Sequence, residues 1–293
     1  MRFFPASGGQ TVITPTIAGW KYSGLAILTL QTGTTTLDST LLANAEGALI
    51  PLKCLDATVV VDGNKYVLKG RRGVFVGGTD WLYLAPQSHV EINVTSPSEL
   101  ALATAVATRE FPTSYVAKND TVEIRGAGSA TREVRPFMHP DQFPHAQKLM
   151  AVELVTPDGN WSSFPPHRHD GIEGCSVNNE EIYYFRIGKS DSNGRSVHGE
   201  AEGWGLHRTY TAPEDRQPFD DTITVRDGDI YLVPRGYHGP CVAMPGYPMY
   251  YLNVLAGPAV KRTMDFCDDP THSWLRESWK EQKPDPRVPW IVK

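Results

Sequence analysis

The stretch Phe164-Pro-Pro-His-Arg-His169 is followed, after a ten-residue segment, by Glu180-Glu-Ile-Tyr-Tyr-Phe-Arg186. The two histidines are separated by one residue, so both project to the same side of an extended strand, because side-chain direction repeats every two residues. A carboxylate from the following strand and a third histidine would complete a metal shell. His238, which ends the segment Val-Pro-Arg-Gly-Tyr-His, is well placed to be that histidine. The pattern predicts a chain that folds to bring these residues together.

Short strand patterns dominate the chain, and glycine, Asp-Gly and proline separate them. Strands are predicted over 25–30, 57–61, 66–68, 74–76, 81–84, 90–95, 100–108, 149–155, 181–187, 206–211, 222–225, 229–233 and 249–255. The segment 61–65, Val-Asp-Gly-Asn-Lys, predicts a hairpin turn because glycine can adopt a positive φ. Only residues 269–282 have apolar side chains near helical spacing.

Two halves rich in short strands predict an all-β fold of two tandem jelly-roll barrels with a short C-terminal helix. The proposed boundaries are 1–110 for the first barrel, 111–148 for a connector rich in proline and glycine, and 149–293 for the second barrel and the helix. His89 has no His-x-His or glutamate partner, so the first barrel is expected to bind no metal.

Composition excludes several classes of function. The formal charge is −5 and no basic run occurs, so no nucleic-acid partner is expected. No run of about eighteen apolar residues occurs, which predicts no membrane span. The first ten residues lack the apolar core of a signal peptide, which favours a cytoplasmic protein.

The four cysteines are scattered along the chain, at positions Cys54, Cys175, Cys241 and Cys267. In a reducing cytosol the expectation is four free thiols. Cys175 is read as a small loop residue rather than a redox thiol or a ligand, because no other cysteine is close to it in the sequence.

The spacing of several residues resembles the paired signatures of the cupin family. Glu181 is followed by six residues and then Gly188, and Gly228 is followed by five residues and then Pro-Arg-Gly-Tyr-His238. Cupins are jelly-roll barrels that hold a divalent metal through three histidines and one glutamate. The resemblance selects Glu181 over Glu180 and implies four metal ligands, which are His167, His169, Glu181 and His238.

Two features depart from the usual cupin pattern. The gap 170–179 is longer than usual and is predicted to be a loop at the barrel mouth, and only Tyr237 separates Gly236 from His238 where cupins usually have two residues. Neutral imidazoles with one carboxylate suit one divalent ion of Zn, Mn, Fe, Co or Ni and leave coordination positions open. The alternative is unrelated surface histidines, and His198, His207 and His272 are read as packing or surface residues.

Longer motifs resemble the 5-deoxy-glucuronate isomerase family of inositol catabolism. They occupy 160–170, 180–186, 235–238, 250–257 and 268–274, and the match is thinner in the N-terminal half. The resemblance implies conversion of 5-deoxy-glucuronate to 5-dehydro-2-deoxy-gluconate, an aldose-to-ketose isomerisation by a metal in the second barrel. The nearest alternatives are an isomerase of 5-keto-4-deoxyuronate from pectin and a metal-dependent cupin dioxygenase. A sugar-binding cupin and a storage-type bicupin are further alternatives.

Strand alternation adds candidate pocket residues. Tyr183 shares the face of Glu181, and Tyr251 and Asn253 share one face of their strand. Arg208 falls on the same face as Tyr210 and could bind a substrate carboxylate through both of its terminal nitrogens. Packing or surface roles are the alternatives for each of these candidates.

The sequence does not identify the general base, and Glu180 qualifies only if its strand bulges. The expected partners are a small-molecule sugar acid and further copies of the chain.

Overall fold

The computed structural model describes residues 2–172, 174–191, 202–213, 215–233 and 235–290. Strands account for most of its regular structure. The ten strands up to residue 116 are β1 Phe3–Phe4, β2 Thr11–Ile13, β3 Ser23–Leu30, β4 Gly33–Thr36, β5 Ala45–Val61, β6 Asn64–Arg71, β7 Trp81–Leu84, β8 Val90–Val94, β9 Ser98–Val106 and β10 Ser114–Val116.

The remaining strands follow the same order along the chain. They are β11 Glu123–Arg125, β12 Arg132–Arg135, β13 Met150–Thr156, β14 Trp161–Ser162, β15 His167–Arg168, β16 Glu180–Ile187, β17 Trp204–Tyr210, β18 Asp220–Arg226, β19 Ile230–Val233, β20 Tyr237–Ala243, β21 Met249–Ala256 and β22 Cys267–Asp268. The helices are α1 Pro15–Ala18, α2 Leu275–Ser278 and the 3-10 turns Ser39–Leu41, Val74–Val76 and Trp279–Glu281. None of the helices in the described ranges is long and apolar enough to span a membrane.

The first barrel is built from a nine-stranded sheet that folds back on itself. The long strand β5 pairs with β9 and β7 through its first half and with β6 and β8 through its second half. Its register with β9 shifts between Pro51 and Lys53, where the strand leaves one layer for the other. The predicted turn after β5 is confirmed, since Asp62 and Gly63 have φ values of 49° and 82° between the paired residues Val61 and Asn64.

The second barrel consists of two antiparallel sheets. One has the strand order β1-β19-β16-β21-β13-β12-β11, and the other has the order β18-β17-β20-β15-β22 with β14 beside β20. Side chains alternate across β16, so Glu181, Tyr183 and Phe185 face the interior of this barrel. Ile182 and Tyr184 point the other way, into a large apolar layer that they share with β3, β5 and β9 of the first barrel.

Buried carboxylates join the two barrels. Glu46 on β5 accepts hydrogen bonds from the backbone N–H groups of residues 147, 148 and 149, at 2.8, 2.6 and 2.7 Å. Arg71 on β6 pairs with Glu153 on β13, and both side chains are buried. These contacts and the shared apolar layer fix the second barrel on the first.

Strand pairing departs from the proposed boundaries in the connector and at the N-terminus. Strand β1 pairs with β19 of the second barrel, although it lies in the segment assigned to the first. The connector contributes β10 to the first barrel, and it contributes β11 and β12 to the second. The connector therefore supplies strands to both barrels and is not a simple linker between them.

Two secondary-structure predictions are corrected. Residues 74–76 form a 3-10 turn between Gly73 and Gly77 rather than a strand, and this turn buries Val74 and Phe75. The C-terminal helical segment is shorter than 269–282, because α2 and the 3-10 turn after it span only residues 275–281. The all-β class with a short C-terminal helix is confirmed.

Candidate metal centre

The proposed ligands come from three neighbouring strands of the second barrel. His167 lies on β15 and is paired directly with His238 on β20. His169 follows β15, and Glu181 is the second residue of β16, which forms the opposite sheet. The two sheets therefore bring histidines from one side and the carboxylate from the other into the barrel interior.

Three of the four proposed ligands form a tight cluster. His169, Glu181 and His238 each offer one ligand atom, and these atoms all lie within 4.8 Å of one another. The Nε2 atoms of His169 and His238 lie 3.1 and 3.0 Å from the same oxygen, Oε2 of Glu181. All three side chains are buried. Such convergence of two imidazoles on one carboxylate oxygen is typical of a metal-binding arrangement.

Hydrogen bonding orients these ligand atoms toward one another. The Nδ1 atom of His169 lies 2.9 Å from the carbonyl oxygen of Asn179, which fixes a proton on Nδ1. The Nε2 atom points at Oε2 of Glu181, and a metal ion would replace the proton shared by these two atoms. Among the described residues, Nδ1 of His238 has no hydrogen-bond partner and Nε2 has only its contact with Oε2 of Glu181, although the ring is buried. A buried imidazole with so few partners is costly, so the donor set fits a divalent cation.

His167 lies at the edge of this cluster. Its ring centroid is 4.3 Å from that of His238 and 6.3 Å from that of His169. It is only half-buried, and the ring of Phe266 packs 4.6 Å from it. Its place as a fourth ligand stays a prediction.

The charge states of the cluster follow from its burial and from the charges within it. Burial alone would raise the pKa of Glu181, but the charges and hydrogen bonds of His238 and His169 lower it well below its ordinary range. Burial lowers the pKa values of His167 and His238. Burial also opposes protonation of His169, but the hydrogen bond and charge of Glu181 raise the pKa of this histidine.

A cavity of about 340 Å³ opens beside the cluster. Its polar lining includes His167, His169, Glu181, Tyr183, Asn253 and Ser163, together with Arg125, Arg132, Arg276, His139 and Asp265. Val152, Leu154, Leu255, Met264 and Phe266 supply apolar wall. This mixture of apolar wall and convergent polar groups is typical of a site for a small polar ligand.

The predicted residues Tyr183 and Asn253 line this cavity, whereas Tyr251 lies behind it. The Tyr183 and Tyr251 rings stack with their centroids 5.1 Å apart. The Oγ atom of Ser163 lies 3.3 Å from the Tyr183 hydroxyl and 3.2 Å from the Tyr251 hydroxyl. The amide oxygen of Asn253 is buried and has no hydrogen-bond partner among the described residues.

Arg208 is not brought to the cavity. Inward positions on β17 are buried in alternation, and His207 and Thr209 occupy them, so Arg208 faces outward. Its guanidinium group pairs with Asp220 at 2.8 and 2.6 Å and lies over the ring of Tyr210. The sequence correctly placed Arg208 and Tyr210 on one face, but that face is the outside of the barrel.

His207 is a packing residue, as predicted. It is buried inside the barrel, where its Nδ1 lies 3.1 Å from the Cys241 sulfur and its Nε2 lies 3.0 Å from the Thr209 hydroxyl. Burial lowers the pKa of His207 to about 3, so the ring is neutral. Of the remaining predicted features, His198 and Pro234 lie outside the described residues.

Glu180 faces away from the cavity because β16 keeps regular register with both of its neighbours. Its carboxylate accepts hydrogen bonds from the backbone N–H groups of Lys21, Tyr22 and Ser23, at 2.7, 2.8 and 2.9 Å. The strand does not bulge, so Glu180 is a link to the first barrel and not a general base.

The expectation of four free thiols is wrong for two of them. Cys175, in the loop after His169, forms a disulfide with Cys267 on β22 across 92 positions of sequence. Cys54 and Cys241 are free and buried. The fold brings β22 beside β15, so a distant cysteine closes the loop next to the candidate ligands.

Sequence reasoning missed three arginines that line the cavity. Arg125 lies on β11 and Arg132 on β12, both in the segment taken for a linker, and Arg276 lies on α2. Arg276 makes two contacts with Asp268, at 2.5 and 2.7 Å. The charged pattern Arg-Glu-Val-Arg over 132–135 was the available signal for a strand, but its shortness and the surrounding prolines hid it.

The KduI/IolB family model matches residues 4–275. The chain is 36% identical over 279 residues to the 5-deoxy-glucuronate isomerase of Geobacillus thermodenitrificans, with 94% of both chains covered. It is 35% identical over 201 residues to the enzyme of that name from Bacillus subtilis strain 168, with 68% of each chain covered.

Solved structures agree with this family relationship. An IolB-like protein from Salmonella typhimurium LT2 superposes with a TM-score of 0.80 and 30% identity, covering 94% of this chain and 99% of that one. An oxalate decarboxylase from Lactobacillus farciminis has a TM-score of 0.57 at 10% identity, over 89% of this chain and 87% of that one, which confirms the predicted cupin fold. The chain therefore belongs to the KduI/IolB family, and it is an isomerase with a cupin fold.

Proposed function

We propose that this isomerase converts 5-deoxy-glucuronate to 5-dehydro-2-deoxy-gluconate in inositol catabolism and that it depends on a divalent metal. The observation that carries the proposal is the buried cluster of His169, Glu181 and His238 beside a cavity lined by arginines. The names of the relatives support the choice of substrate.

The reaction must move a proton from C2 to C1 of a hydroxyaldehyde. One divalent ion, Zn, Mn, Fe, Co or Ni, held by His169, Glu181 and His238 with His167 as the proposed fourth ligand, would polarise the substrate carbonyl and acidify the neighbouring C–H bond. The fit rests on the chemistry of the donors, since two buried imidazoles converge on one carboxylate oxygen and Nδ1 of His238 has no hydrogen-bond partner among the described residues.

The other cavity residues hold the substrate. Burial raises the pKa of Tyr183 well above its ordinary value, so its hydroxyl stays protonated and can donate a hydrogen bond to a substrate oxygen. The unpartnered amide oxygen of Asn253 can accept a hydrogen bond from a substrate hydroxyl. Tyr251 positions Tyr183 through ring stacking and their shared contact with Ser163.

The apolar wall has a separate task. Leu255, Met264 and Phe266 line the cavity beside the polar groups, and they exclude water from part of it. Exclusion of water strengthens the hydrogen bonds and charge interactions that orient the substrate.

The decisive experiment offers 5-deoxy-glucuronate and 5-keto-4-deoxyuronate separately to the purified protein and follows the ketone signals by NMR. Elemental analysis of the same sample identifies the metal. Turnover of the first compound, lost on chelation and restored by one divalent ion, is the expected result. Preference for the second compound would select the pectin-type reaction, and oxygen consumption would select a dioxygenase.

Oligomeric state and cellular location stay predictions from the sequence. Light scattering coupled to size-exclusion chromatography tests the expected homo-oligomer against the mass of 32.4 kDa for one chain. Fractionation of the source cells tests the expected cytoplasmic location.

A further inference from the structure

Arg132 is a buried cation that faces the cavity. Its side chain belongs to β12, it is 6% exposed, and it lines the same cavity as His167, His169 and Glu181. Strand β12 pairs with β13 in the sheet that also contains β16, whereas β20 belongs to the other sheet. A ligand in the cavity could therefore contact both the candidate metal cluster and this guanidinium group.

Among the described residues, no carboxylate lies within ion-pair distance of Arg132. Its Nη1 atom donates hydrogen bonds to the backbone carbonyl oxygens of Ala130 at 3.1 Å and Phe164 at 3.5 Å. Its Nε atom is buried and has no hydrogen-bond partner in the part of the chain that the structure describes. Glu181 and Asp265 line the same cavity, but neither pairs with it.

Arg135, on the same strand, shows what a purely structural buried arginine requires. It pairs with Glu133 at 2.6 Å and with Glu153 at 3.9 Å, so its charge is compensated inside the protein. Burying a cation without such a partner costs several kcal/mol. Arg132 and Arg135 are both buried on one strand, but among the described residues only Arg135 has a carboxylate partner. Arg132, which lacks one, lines the cavity.

The surroundings of Arg132 further raise the free-energy cost of burying its charge. Burial lowers the pKa of Arg132 to about 10, and the nearby charges of Arg125 and Arg276 act in the same direction. The group still carries its charge at neutral pH. Gly126, with φ of 76°, leaves room for it, because a Cβ atom there would lie 2.9 Å from Nη1. The fold therefore accommodates an unneutralised guanidinium group beside the cavity.

We propose that Arg132 binds the carboxylate of the sugar acid and selects acidic sugars over neutral ones. This assignment rests on the proposed function, since it names the part of the substrate that the cavity recognises. A guanidinium group matches a carboxylate with two parallel hydrogen bonds, and a bound carboxylate would neutralise the buried charge. The role predicted for Arg208 thus passes to a residue on another strand.

The test compares Arg132→Gln and Arg132→Lys with Arg208→Gln, whose outward guanidinium group pairs with Asp220. On 5-deoxy-glucuronate, Arg132→Gln should raise KM by roughly 30- to 100-fold with a smaller change in kcat, as expected for a lost charged hydrogen bond. Arg132→Lys should recover part of that loss, and Arg208→Gln should match the wild type. Elemental analysis and thermal unfolding of each variant show whether metal content and fold are kept.

A second measurement separates this proposal from the proposed reaction. Calorimetric titration of the wild type with D-glucuronate and with D-glucose should detect binding of the acid only, and Arg132→Gln should lose it. If the wild type does not isomerise 5-deoxy-glucuronate but shows this acid-selective binding, the reaction assignment fails and the carboxylate site stands. Equal binding of both sugars, no binding of the acid, or an unchanged KM in Arg132→Gln would overturn the role of Arg132. Should Arg132→Gln fail to fold, Arg132→Lys decides by the same criteria.

Discussion

The two barrels share an architecture but differ in what fills them. The interior of the first is aliphatic, with side chains such as Leu28, Leu49, Leu82 and Leu102. The interior of the second contains Tyr183, Tyr251, Phe185 and Cys241, and the candidate metal cluster lies beside them. The first barrel is a packed apolar core against which the second barrel is fixed. The difference between them lies in which residues occupy the inward positions of otherwise similar strands.

The largest expected effect on turnover comes from removing a candidate metal ligand inside the second barrel. His238→Ala should remove the bound metal and lower kcat by at least about 10³-fold, because it deletes an internal ligand and the Lewis acid with it. His89→Ala, on the exposed surface of the first barrel, is the matched control. Elemental analysis and turnover by NMR measure both effects. Full turnover by His238→Ala after chelation would exclude the metal mechanism.

The second barrel alone contains a disulfide in the described residues, and removing it tests how much it stabilises that barrel. Cys175→Ser should lower the free energy of unfolding by about 4.6 kcal/mol, the loop-closure value for a link across 92 residues. Denaturation with and without a thiol reductant measures this. Cys54→Ser, at a buried free thiol, is the control, and only the wild type and this control should respond to the reductant. Equal stability of Cys175→Ser and wild type would mean that the bridge does not form.

A cavity in the first barrel should affect stability and spare chemistry. Leu102→Ala removes a fully buried side chain from its aliphatic interior and should cost about 3 kcal/mol of unfolding free energy. The kcat per folded molecule should stay within about twofold of the wild type, since the change lies outside the second barrel. Urea denaturation measures the free energy of unfolding. Turnover followed by NMR, normalised by titration of the active sites with metal, measures kcat per folded molecule. A loss of kcat as large as that of His238→Ala would show that the first barrel shapes the site directly.

The smallest effect is expected at the junction between the barrels. Glu180→Gln weakens the hydrogen bonds to three backbone N–H groups and should cost about 1–2 kcal/mol. The metal content should not change, because Glu180 faces away from Glu181. Hydrogen exchange at Tyr22 and Ser23 should rise in the variant. If turnover falls 100-fold while exchange is unchanged, Glu180 acts in the chemistry after all.

Sequence patterns predicted many of the strands and brought together three candidate ligands for a physical reason. The Glu-x6-Gly spacing chose Glu181, alternation along β16 puts Glu180 on the opposite face, and β7 matches the predicted span 81–84. The candidate ligands His169, Glu181 and His238 lie at strand ends whose spacing is set by the barrel. Local periodicity and fixed spacing are both visible in a single chain.

The errors came from information that is not local. Alternation showed that Arg208 and Tyr210 share a face, but which face is inside depends on the neighbouring sheet. Arg132 lies on a four-residue strand whose existence depends on pairing with β11 and β13. Cys175 and Cys267 are far apart in sequence. The run Val-Phe-Val at 74–76 has strand propensity, but the flanking glycines and the shared apolar layer favour a tight turn.

The pairing of β1 with β19 has a consequence for dissecting the protein. A fragment that begins at residue 149 would lack β1, β11 and β12, and it would expose bare edges on β19 and β13. Exposed edges invite pairing between molecules, so such a fragment should aggregate. It would also lack Arg132. The unit that can be transplanted is therefore the two-barrel chain with its N-terminal strand, and the second barrel is not separable as a module.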